Sequence, residues 1–68
     1  MHTVEVNTSY GIITATWRRV EGNMIEVQYA DRIKPAQASD DDAVNDFVAR
    51  DMLRGWIALD LKDAEIEA

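Results

Sequence analysis

The hydrophobic period of this chain changes once, and no other feature constrains the fold as much. Up to about residue 37, apolar residues alternate with polar ones, as on strands with one buried face. Val4 and Val6 have polar neighbours, residues 12–20 are rich in β-branched side chains and hold Trp17, and Ile25, Val27 and Tyr29 share a face with Glu26 and Gln28 opposite. From Ala43 onward the spacing is helical. At about 100° per residue, Val44, Val48, Met52, Trp56 and Leu59 fall in one stripe. Strands followed by one amphipathic helix predict a small α+β domain in two layers. An antiparallel meander of three to four strands, over about residues 3–37, packs against one C-terminal helix, over about residues 40–62.

Punctuation residues support this division. Thr8, Ser9, Tyr10 and Gly11 read as a turn, and Glu21, Gly22 and Asn23 as a second, with Gly22 or Asn23 suited to positive φ. Residues 12–20 and 24–30 therefore make a hairpin, with residues 4–7 paired on its outer side. A short fourth strand over 33–37 would hold Pro35, which confines it to an edge. Ser39 reads as the helix N-cap, with Asp42 three residues on in the manner of a capping box, and Asp40, Asp41 and Asp42 suit the positive end of the helix dipole. Gly55 either lets the helix approach the sheet closely or ends it. A stop there would make residues 56–62 a last strand. The helix formers around Ala58, Leu59 and 61–68 favour continuation instead, which projects Ile57 and Leu61 from the side opposite the stripe, flanked by Arg50 and Arg54. Residues 63–68 are expected to fray.

The 68 residues make one domain and contain no cysteine. Disulfides and thiolate zinc sites are therefore excluded, and a domain this small needs both Trp17 and Trp56 in its core. No apolar run approaches the length of a membrane span. Residues 1–6 lack the basic-then-apolar pattern of a secretory leader, so a cytoplasmic protein is expected.

Charge is the remaining signal. The net charge is −6. Residues 1–38 balance Glu5, Glu21, Glu26 and Asp31 against Arg18, Arg19, Arg32 and Lys34, so the whole excess lies in residues 39–68. Catalytic candidates are few: His2 is the sole histidine and sits beside the N-terminus, and no base is specified for a serine or threonine nucleophile. A calcium loop counted from Asp40 fails, because Asn45 and Asp51 occupy the positions that need glycine and glutamate. Arg18 and Arg19 are strand neighbours facing opposite sides, and the acidic excess opposes phosphates, so direct nucleic-acid binding is not expected.

These observations lead to a non-enzymatic, acidic protein-interaction module without a cofactor. It would dock its negative half on a basic, nucleic-acid-handling protein surface, by analogy of size and charge with phage-type inhibitors. Asp46, Asp60, Asp63, Glu65 and Glu67 would supply the electrostatics, and Ile57 and Leu61 the apolar contact. The alternative is a structural homo-oligomer or assembly component that buries Ile57 and Leu61 against a second copy.

Overall fold

In the computed structural model, which describes residues 1–66, the alternating half of the chain is a four-stranded antiparallel meander and the helical half lies across it. Strands β1 (His2–Thr8), β2 (Gly11–Val20), β3 (Met24–Tyr29) and β4 (Arg32–Gln37) lie in the order β1-β2-β3-β4, followed by helix α1 (Asp42–Asp60). The result is a small two-layer α+β domain.

Each turn is closed by local chemistry. Between β1 and β2, the Thr8 hydroxyl accepts a hydrogen bond from the Tyr10 amide at 3.0 Å and donates to the Gly11 carbonyl at 2.8 Å. Between β2 and β3, both Gly22 and Asn23 take positive φ, at 77° and 58°. The fourth strand exists and is an edge strand, as Pro35 requires. Hydrogen-bonded and non-bonded pairs alternate along an antiparallel ladder. The Ala38 amide bonds to the Asn23 carbonyl at 3.0 Å, so Glu26 and Pro35 are a non-bonded pair. The ring nitrogen of Pro35 therefore faces outward and removes a donor from the free edge.

The inner face of the sheet presents Val4, Val6, Ala15, Trp17, Ile25 and Val27, all buried. Helix α1 covers chiefly β1 and β2, less of β3. Both tryptophans enter the core, but their rings stack on other partners. Trp17 lies against His2 with centroids 4.1 Å apart, and Trp56 against Tyr29 at 6.0 Å. His2 is thus a half-exposed cover for Trp17 rather than a free terminal side chain.

Helix α1 continues through Gly55, as the helix formers predicted, but it is rotated about its axis from the expected setting. Its buried residues are Asn45, Ala49, Leu53, Trp56 and Ile57. Of the predicted stripe only Trp56 is buried, while Val48 and Met52 are half-buried and Val44 and Leu59 are exposed at 45% and 63%. At about 100° per residue, the two settings differ by about 100°. The physical reason lies in what each row can bury. The observed row sets Leu53 and Ile57 one turn apart behind the small Ala49, and each branched side chain contributes about 2 kcal/mol on burial. The predicted row includes the position of Gly55, which has no side chain to bury. Ile57 is accordingly 0% exposed, and Leu61 is half-buried against the core, so the expected exposed pair does not exist.

The start of α1 also differs from expectation. Asp41, not Ser39, is the N-cap, and its carboxylate accepts from the Ala43 amide at 2.9 Å. Asn45 occupies Ser39 instead: its Oδ1 accepts from the Ser39 amide at 2.7 Å and its Nδ2 donates to the Ser39 carbonyl at 2.9 Å. After the helix, residues 63–66 do not splay away. The Ser9 amide donates to the Glu65 carbonyl at 2.8 Å, the Glu65 amide donates to the Ser9 hydroxyl at 2.9 Å, and Thr8 bridges to Ile66.

Candidate docking face

The acids expected to form a docking surface are engaged largely inside the chain. Asp46 Oδ1 accepts from the indole nitrogen of Trp17 at 2.7 Å. Asp60 pairs with Arg32 across the gap between α1 and β4. Asp63 accepts from the Tyr10 hydroxyl at 2.6 Å, and that bond, aided by the negative charge, holds the Tyr10 phenol above its usual range. Glu65 contributes its backbone to the clamp on Ser9. Glu67 lies outside the described residues. Asp60, Asp63 and Glu65 are exposed while Asp46 is half-buried. Three of them tie the helical half to the strands through partners 28 to 53 residues away in sequence.

The helix start follows the same pattern. Asp42 accepts from Arg19 at 2.8 Å, and its other oxygen is 3.8 Å from His2 Nε2. The hydrogen bond to Arg19, more than any other contact, holds the Asp42 carboxyl below its ordinary range. Asp40 and Asp41 remain exposed, and no group of three metal-ligating side chains occurs among the described residues. No described helix is long and apolar enough to cross a membrane.

The rotation of α1 leaves several apolar side chains outward, among exposed acids such as Asp51. Val44, Phe47 and Leu59 are exposed at 45%, 61% and 63%, with the half-buried Val48 and Met52 beside them. Because α1 sits toward β1, it also leaves the β4 side of the inner sheet face open. Met52, Gly55, Trp56 and Leu59 form one wall of a groove there and Lys34 of β4 the other, around a volume of about 260 Å³. Solitary exposed apolar side chains are ordinary, but a contiguous helix face with an adjoining groove is the usual mark of a contact surface.

Sequence reasoning assigned most of these residues to the interior. The available signal was Phe47, the only phenylalanine in the chain, which fits neither the predicted row nor the observed one. A large apolar residue off every candidate core row points to a second apolar face.

Compared with known protein families, curated proteins and solved structures, the chain matches none. The geometry alone carries the functional reading.

Proposed function

We propose that this chain is a non-enzymatic protein-interaction module that docks through the outer face of α1. The observation that carries this reading is the row of Val44, Phe47 and Leu59, left exposed on a helix whose opposite side already fills the core. A solitary domain gains nothing by showing such a row to water. The reading keeps the module expected from the sequence but moves its apolar contact from Ile57 and Leu61 to this face. The net charge of −6, with Asp40 and Asp41 exposed just before the helix and Asp51 exposed on it, favours a protein partner with basic groups around an apolar centre, and disfavours a phosphate backbone.

The test is capture from the source cell, or its host, with wild-type chain and with a Val44→Thr, Phe47→Ser, Leu59→Gln variant. Because all three side chains are largely exposed, the variant should keep its thermal transition. It should lose both captured partners and any self-association. Unchanged capture and unchanged self-association by a folded variant would refute the docking face.

A further inference from the structure

We infer that the groove between α1 and β4 is a binding site for a small aryl carboxylate, with its carboxylate on Lys34 and its ring against Trp56 over the bare backbone of Gly55. This goes beyond the docking face and does not depend on it, because Val44 and Phe47 line no part of the groove.

The first observation is the charge on β4. Cross-strand partners point to the same side of a sheet. Arg32 pairs in register with Tyr29, which packs on the core, and Lys34 with the buried Val27. Strand β4 therefore turns two cations toward the helix layer. Arg32 is met there by Asp60. Two strand residues span about 6.8 Å and four to five helix residues about 6–7.5 Å. Lys34 accordingly comes opposite residues 55 and 56, which line the groove with it. No carboxylate stands at those positions, and Lys34 has no ion-pair partner among the described residues. An anion from outside would stand to Lys34 as Asp60 stands to Arg32.

The second observation is Gly55. A glycine in a helix interior is destabilising relative to alanine. The helix nevertheless runs through it, and a Cβ built there would meet nothing within 4 Å. Neither explanation open from the sequence applies, since the helix does not end there and no neighbour presses on the position. What the bare backbone does is keep the groove open, at about 260 Å³.

Size and lining select the ligand. A cavity of about 150 Å³ holds benzene, so this groove takes one ring with a short acidic arm. Met52 offers a thioether to an aromatic ring, and Trp56, stacked on Tyr29, offers its indole. One cation beside an apolar wall suits a carboxylate better than the three oxygens of a phosphate group. The docking partner of the outer face is drawn by acids, so the ligand here is a separate, free small molecule.

Phenylpropionate is the probe, with its neutral amide and phenylpropylamine as controls. Titration is followed by the indole N–H resonance of Trp56. That of Trp17, bound to Asp46, serves as the internal reference. A ligand of this size at ordinary efficiency should dissociate at about 1 mM. The amide should bind about tenfold more weakly and the amine not at all. Lys34→Gln, at an exposed position, should keep the fold and bring the acid down to the level of the amide. Gly55→Leu should leave the melting temperature no lower, because it improves helix propensity and meets no neighbour, and should abolish binding of both. The absence of a saturable Trp56 shift at tens of millimolar overturns the inference. Equal affinity for acid and amide does so too, as does undiminished binding of the acid by Lys34→Gln. Capture through the outer face should be unchanged in Lys34→Gln; its loss would refute the separation of the two sites.

Discussion

Replacing Asn45 by alanine tests how the helix is set on the sheet. Asn45 is 0% exposed, an unusual state for a side-chain amide. It is tolerated because the amide bonds both polar groups of the Ser39 backbone, at 2.7 and 2.9 Å. Removing it deletes those two hydrogen bonds, at about 1 kcal/mol each, and a longer one to Asp42 at 3.4 Å, and leaves the partly buried Ser39 amide without a partner, while the Ser39 carbonyl still accepts from Arg19. With the vacated volume added, the loss should be about 2–3 kcal/mol. A domain of this size has a total stability of about 3–10 kcal/mol. At a urea dependence of about 1 kcal/mol per molar, the unfolding midpoint should fall by about 2 M. Urea titration followed by tryptophan fluorescence reads this directly. Asn45→Asp should be no better, because it keeps one acceptor, loses the donor to the Ser39 carbonyl and buries a charge. If Asn45→Ala lies within about 0.5 kcal/mol of wild type, the range of an ordinary surface substitution, Asn45 does not anchor the helix start and the argument for the rotated setting fails with it.

Three further outcomes are expected. Trp17→Phe keeps an aromatic ring against His2 but loses the charge-assisted bond to Asp46, and should cost about 2–3 kcal/mol in thermal unfolding followed by circular dichroism; a melt that does not move would mean the Trp17–Asp46 bond contributes nothing. The Asp42 carboxyl is depressed by Arg19, so its contribution to stability is present above the unfolded carboxylate value of about 4 and is lost as pH falls through the lower folded value. Asp42→Asn should therefore be less stable near neutrality, with the gap closing in acid; a gap of constant size across that range refutes the linkage. Tyr10 shifts the other way, raised by its bond to Asp63. Its contribution is present below the unfolded phenol value of about 10 and is lost as pH rises through the higher folded value, so the deficit of Tyr10→Phe should vanish in strong alkali, and a deficit that persists there would refute the assignment.

Much of the fold was legible because it depends on neighbours in sequence. The faces of Ile25, Val27 and Tyr29, the turn at Gly22 and Asn23, the edge position of Pro35 and the helix running through Gly55 all follow from local periodicity and backbone preference. The rotation of α1 was not legible, because the buried row begins with Asn45 beside Asp46. Both look like surface residues until their partners Ser39 and Trp17 are in place, and Trp17 lies 29 positions away. A periodicity argument discounts polar positions, so it chose the row through Val44 and Leu59 and placed Ile57 outside. The partners of the named acids were illegible for the same reason: Asp60 is met by Arg32 and Asp63 by Tyr10, which only the tertiary structure brings near.

The position of α1 over β1 shapes how the chain can fold. Every strand pairing is between consecutive strands, so the sheet can assemble by short-range hairpin steps with little loop entropy to overcome. Covering β1 is the exception. Strand β1, with Val4 and Val6 buried, precedes α1 in synthesis, yet α1 is the element that packs over it. Until α1 is complete, a finished sheet stands with one apolar face bare, and it is this late docking, rather than any strand pairing, that separates a hairpin array from a cooperative domain. Variants that slow or weaken the last turns of α1 should therefore show themselves first as aggregation during expression, before any loss of equilibrium stability is large enough to measure.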